Sequence, residues 1–146
     1  MKELNIMMQD SRINRYPAIN DRRVDSFLNN YNYHVPLSLR QLWKTSNGMD
    51  IAYGTMMILS IPDRNIDQQH WLTSWNIIDL SVVYPNARNM LIFAVNNLGE
   101  YFGIDQDDHV VSVSTDTCSW ASCGSFEQWL NDTLSNVFSY DTTHLS

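Results

Sequence analysis

Val35-Pro36-Leu37-Ser38-Leu39-Arg40-Gln41-Leu42-Trp43-Lys44-Thr45-Ser46-Asn47-Gly48 reads as one short helix with both ends marked. Pro36 suits the first turn, where its missing N–H is no loss. Leu39, Leu42 and Trp43 fall at i, i+3 and i+4, a stripe on one face that calls for burial. Lys44 lies in the last turn, where the helix dipole favours a cation. Asn47-Gly48 then supplies residues able to take the left-handed conformation that stops a helix.

Upstream, Val24, Phe27, Leu28 and Tyr31 repeat at i, i+3, i+4 and i+7, the signature of a second helix. Asn20 or Asp21 can cap it, and Asn29, Asn30 and Asn32 end it. Residues 1–19 hold no clear period and are expected to be partly irregular.

Downstream, residues 56–59 and 90–95 read as short buried strands. Between them Pro62 and Asp63 precede Trp71, Trp75 and Ile78, which fit helical spacing only loosely. Asn96-Asn97-Leu98-Gly99 is a turn, residues 100–104 a strand, and Asp105-Gln106-Asp107-Asp108 a second turn of residues that bond their own backbone. Residues 109–114 alternate, with Val111 and Val113 facing one way, so this part is expected to form an antiparallel meander. Ser125 with Gln128 three residues later is a capping-box signal. It opens a helix whose apolar face is Phe126, Trp129, Leu130, Leu134, Val137 and Phe138. From Ser139 the chain is polar and expected to fray. The division is therefore an N-terminal segment (1–19), one domain (20–138) and a polar tail (139–146).

Bulk numbers agree with a single folded unit. The chain has 146 residues, within the roughly 100–200 of one domain. It is 44% hydrophobic, a globular and not a disordered profile. No apolar run reaches the ~18 residues of a membrane span. The first ten residues carry no secretory pattern, so the cytoplasm is the expected compartment. Cys118 and Cys123, separated by four residues, lack C-x-x-C spacing and are expected to be reduced, buried thiols.

Charge is distributed unevenly. Past Arg88 there is no lysine or arginine, while Glu100, Asp105, Asp107, Asp108, Asp116, Glu127, Asp132 and Asp141 remain. Residues 1–88 balance nine basic against eight acidic side chains. A negative field from one end draws cationic partners and repels nucleic acid and anionic lipid.

In this order the pieces resemble the SMI1/KNR4 family of the SUKH superfamily. The family's Leu-Pro helix closing on Asn-Gly-Gly resembles Val35-Pro36, Leu39, Leu42-Trp43 and Asn47-Gly48. Its strand pair resembles Leu91-Ile92-Phe93-Ala94 through Gly99, Tyr101 and Ile104. Its closing helix resembles Ser125-Phe126-Glu127-Gln128-Trp129-Leu130. The chain departs from the pattern at Val35 (for Leu), Leu39 (for an aromatic) and Met49 (for the second glycine), and Gly-Met turns less sharply than paired glycines. The resemblance implies an α+β fold, a central antiparallel sheet flanked by helices in a single domain, and a protein that binds partners without a catalytic constellation. Bacterial members are commonly immunity proteins that neutralise a cognate toxin, often a nuclease. Fungal members are regulatory hubs.

Reactive chemistry is not marked in the sequence. His34, His70, His109 and His144 are scattered and no pair has metal-site spacing. The Asp105/Asp107/Asp108 run lacks the spacing of a calcium loop. No cofactor or metal is expected, and Trp71 and Trp75 are expected to pack in the core instead of stacking on a sugar. The expected function is an immunity protein that occludes a basic, nuclease-type toxin. The contacts would come from Glu100, Asp105, Asp107 and Asp108, from Asp63 and Asp67 as a second patch, and from Tyr101 as an anchor. The alternatives are a regulatory or scaffold module without a toxin and a small enzyme or ligand-binding protein using the Trp71/Trp75 region. The oligomeric state stays open.

Overall fold

The computed structural model describes residues 11–31, 35–76, 90–105, 107–114 and 119–145. Asp116, Ile78, His34 and Cys118 lie outside the described residues, as do the side chains of Val137, Phe138, Asp141 and His144. Among those described, seven strands form one sheet: β1 (Ile13–Arg15), β2 (Met49–Ile51), β3 (Met56–Ile58), β4 (Leu91–Asn96), β5 (Glu100–Ile104), β6 (Val110–Ser114) and β7 (Ser119–Gly124). Every neighbouring pair is antiparallel, and the order across the sheet is the order along the chain. The helices are α1 (Asp21–Asn29), α2 (Leu37–Thr45), α3 (Leu72–Trp75) and α4 (Phe126–Leu145). This is the expected α+β architecture, with the sheet at its centre.

Cross-strand register shows what each face carries, because paired residues point the same way. Met49, Ile58, Ala94 and Phe102 stand in one row, and all four are buried. Phe102 meets Trp129 of α4 with ring centroids 5.3 Å apart, and Phe93, at the β4 bulge, meets the same ring at 4.9 Å. The adjacent row, Met57, Val95, Tyr101 and Val113, faces the other way. There Tyr101 packs edge-on against Trp75 of α3 at 5.9 Å. With both faces covered, the first five residues of β4 are all buried, which is why this strand reads as a continuous apolar run.

α1 begins where Asn20 accepts a hydrogen bond from Arg22 N–H, so Asn20 and not Asp21 is the cap. The α4 capping box is reciprocal: Ser125 Oγ accepts from Gln128 N–H and Gln128 Oε1 accepts from Ser125 N–H. The polar tail expected from Ser139 is instead helical through Leu145. The polarity there does not oppose a helix, since it contains neither proline nor glycine.

The end of α2 differs from its reading. Ser46 leaves the helix in an extended conformation, and Asn47 does not adopt the left-handed one. Asn47 is instead wholly buried, with Oδ1 accepting from Ile61 N–H (2.9 Å) and its amide donating to Ile61 O (3.0 Å). Gly48 is the left-handed residue (φ +91°), and a Cβ there would meet Ser60 Oγ and lie 2.7 Å from Ile58 O. Asn-Gly therefore docks α2 onto the chain leaving β3. Met49, in the place of the family's second glycine, is already the first residue of β2 and fully buried against Ile58 in register. A glycine is not needed there.

β1 and β2, three residues each, and β7 were not legible as strands. The turn joining β2 to β3 holds Ala52 (φ 54°), Tyr53 (φ 55°) and Gly54 (φ 93°) in succession. The first two carry side chains in a region that costs roughly 1–2 kcal/mol per residue. Asp50 Oδ1, accepting from Gly54 N–H at 2.6 Å, and Thr55 Oγ1, donating to Ala52 O at 2.8 Å, hold the turn closed.

Candidate partner-binding surface

The acidic residues singled out in the sequence fall in three places. Glu100 opens β5 and Asp105 follows its end, so about 17 Å of strand separates them. Glu100 is occupied by the β4–β5 turn, where its Oε1 accepts from the Asn96 amide at 2.9 Å. Tyr101, half-buried on Trp75, faces away from Phe102 and α4. Asp63 and Asp67 belong to the segment after β3. Asp63 is bonded to Arg23 of α1 at 2.7 Å, and the guanidinium holds its carboxyl below the usual carboxylate range. Asp67 caps the 3-10 turn Gln68–His70 by accepting from Gln69 N–H.

The β5–β6 turn and the start of α4 form the one place where several of these carboxylates meet others. Asp105 Oδ1 accepts from the backbone of Asp107 and of His109, both at 2.9 Å, and Oδ2 lies 3.3 Å from His109 Nδ1. Asp108 sits in the left-handed region (φ 68°). Its Oδ1 accepts from Ser38 Oγ at 3.1 Å and from Phe126 N–H at 3.2 Å, tying the turn to α2 and to the first residue of α4. Asp105 and Asp108 thus shape this corner as well as charging it. Asp107 and Glu127, each one residue from the Asp108–Phe126 contact, are exposed.

The electrostatics of the two halves differ in kind. In the first half, Lys44 at 3.1 Å and Arg40 at 3.0 Å hold Asp25, and the two together lower its pKa. Among the described residues no carboxylate from Glu100 onward is paired with lysine or arginine. The N-terminus of α4 beside these carboxylates offsets only a fraction of one charge.

The other marked residues have structural partners. Trp71 Nε1–H donates to Ile66 O and Trp75 Nε1–H to Gln69 O, at 2.9 and 2.7 Å. Neither ring lies in the buried core as expected: both are partly buried, and Trp75 packs against the core. Cys123 is half-buried, and no group of three or more His, Cys, Asp or Glu among the described residues could hold a metal ion. No helix among them is long and apolar enough to cross a membrane. Sequence reasoning did not place Glu127 near the β5–β6 turn, because only the fold brings its neighbour Phe126 to Asp108.

No curated protein and no solved structure matches the chain. The model of the SMI1 / KNR4 family (SUKH-1) matches residues 18–132, which run from the approach to α1 into α4 and include all of the sheet except β1. With that span matched and the helix, meander and capped closing helix in place, the chain belongs to the SMI1/KNR4 family (SUKH-1).

Proposed function

We propose that this protein is an immunity protein that binds a cationic, nuclease-type toxin domain and neutralises it by covering the basic side chains the toxin uses on phosphates. It acts by binding and not by catalysis. The reading is supported by the family's commonest bacterial role and by one observation above all. The corner built from Asp105, Asp107, Asp108 and Glu127 carries carboxylates with no lysine or arginine paired to them among the described residues, whereas Asp25 and Asp63 are matched by cations of their own chain. Unmatched charge of this kind steers encounter and shows as a salt-dependent association rate.

The test uses Asp107→Lys with Glu127→Lys. Both side chains are exposed and neither caps the turn, so the fold should survive, whereas reversing Asp105 or Asp108 would also break the hydrogen bonds described above. Against the protein encoded immediately upstream, the double variant should lower the association rate by about tenfold at low salt and flatten its salt dependence. An unchanged rate and slope would remove this corner from the interface.

A further inference from the structure

At the end of the sheet where the β2–β3 and β4–β5 turns lie side by side, an open cleft of about 1020 Å³ separates the sheet from the middle of α4. The two turns are joined by a hydrogen bond from Asn97 N–H to Thr55 O at 3.2 Å. The floor is apolar and buried: Met56, Phe102 and Trp129. Two large apolar side chains on the rim are exposed. Tyr53 stands 87% exposed on one turn and Leu98 72% exposed on the other. Such a gradient is the outline of an interface core and not of a solvated surface.

The rim is also maintained at a cost. Tyr53 is held in the left-handed region, where asparagine or glycine would fit with less strain. Its exposure shows that little of its ring packs within its own chain. A residue that strains the backbone to hold an aromatic ring in water is explained by a contact outside the chain.

We infer that this cleft receives a projecting segment of a partner protein bearing a large apolar side chain next to a lysine or arginine. Among the described lining residues, Asp132 is the carboxylate placed to meet the cation. Asp132 of α4 lines the cleft, is exposed, and has no lysine or arginine paired to it among the described residues. Arg12 on the opposite wall is already engaged in an interaction of its own. A small polar ligand is disfavoured by the lining: Asp132 and Asn136 are exposed, and the Asn96 side chain is spent on Leu98 N–H, Glu100 N–H and the Glu100 carboxylate. The inference does not rest on the toxin reading, since the sign of the partner's charge is taken from Asp132.

The test is to pan random peptides displayed on phage against the intact chain and measure the enriched sequences as synthetic peptides. Enriched peptides should place Lys or Arg beside a Leu, Phe or Trp. Their affinity should fall about tenfold or more with Leu98→Ser, with Asp132→Lys, and with Tyr53→Asn, a change that suits its backbone conformation. Circular dichroism would confirm that each variant is folded. Acidic or neutral consensus peptides, no enrichment, or affinities unmoved by the three variants would overturn the inference. A wild-type dimer in sedimentation that Leu98→Ser dissociates would overturn it too, by giving the cleft to a second copy. Because no toxin enters these measurements, failure of the Asp107/Glu127 experiment would sink the toxin reading and leave the cleft standing.

Discussion

Asn47→Ala is the sharpest test of how the fold is held. The side chain is wholly buried and makes two hydrogen bonds, both to the backbone of Ile61, at 2.9 and 3.0 Å. Truncation strands a buried N–H and a buried C=O at once. At roughly 1–3 kcal/mol for each unsatisfied group, the loss should be about 2–6 kcal/mol. Against a total of about 5–15 kcal/mol for a domain, that is a large share. Urea unfolding followed by tryptophan fluorescence would measure it as a lower midpoint with unchanged slope. Asn47→Asp sharpens the reasoning. A carboxylate still accepts from Ile61 N–H but opposes Ile61 O unless it carries a proton. Burial and that opposed carbonyl both raise its folded pKa, so its stability should be fullest below the ordinary aspartate value of about 3.9 and fall as the pH rises. In the parent protein Asp25 and Asp63 work the other way, since their lowered pKa values make stability fall as acid protonates them. The pH profiles of parent and variant should therefore converge toward acid. A loss under about 1 kcal/mol for Asn47→Ala, or parallel pH profiles for Asn47→Asp, would refute the bridging role assigned to Asn47.

Gly48→Ala should cost about 2–5 kcal/mol, combining a left-handed φ with a Cβ placed against Ser60 Oγ and Ile58 O. Adding Ser60→Ala should return only the part due to the hydroxyl, which has no hydrogen-bond partner, and full recovery in a double-mutant cycle would show that the backbone conformation is not limiting. Because Arg23 lowers the pKa of Asp63, their pairing contributes fully above the ordinary carboxylate value and is lost as the pH falls below about 4. Asp63→Asn should thus lower the urea midpoint at neutral pH and flatten the acid limb, and an equal loss at pH 3 and pH 7 would assign Asp63 a packing role instead.

The elements with a strong period or a cap were readable from residue spacing alone. Val24 and Leu28 mark α1, Leu39, Leu42 and Trp43 mark α2, and Ser125 with Gln128 marks the start of α4. β1 (Ile13-Asn14-Arg15) and β2 (Met49-Asp50-Ile51) were not readable because neither carries the continuous apolar run that marks the equally short β3. β7 has Trp120 as its one strongly strand-favouring residue among serines, alanine, cysteine and glycine, and it pairs antiparallel with β6. Asn47-Gly48 was read as a stop because helix-ending residues and a buried bridge look alike until Ile61 is placed opposite them. The acidic set was legible as a composition and not as a place. Whether a carboxylate faces solvent, as Asp107 does, or turns inward to Ser38 and Phe126, as Asp108 does, depends on partners 70 and 18 residues away.

Strand order has a kinetic consequence. Only three, five and four residues separate β4 from β5, β5 from β6 and β6 from β7, whereas 33 separate β1 from β2 and 32 separate β3 from β4. Closing a loop about eight times longer costs about 2 kcal/mol more in chain entropy. The C-terminal meander can therefore nucleate by itself and offer β4 as the template on which β3, then β2 and β1, are laid. On a ribosome the first half of the chain waits for the second, and the portion devoid of lysine and arginine is the portion that organises the rest.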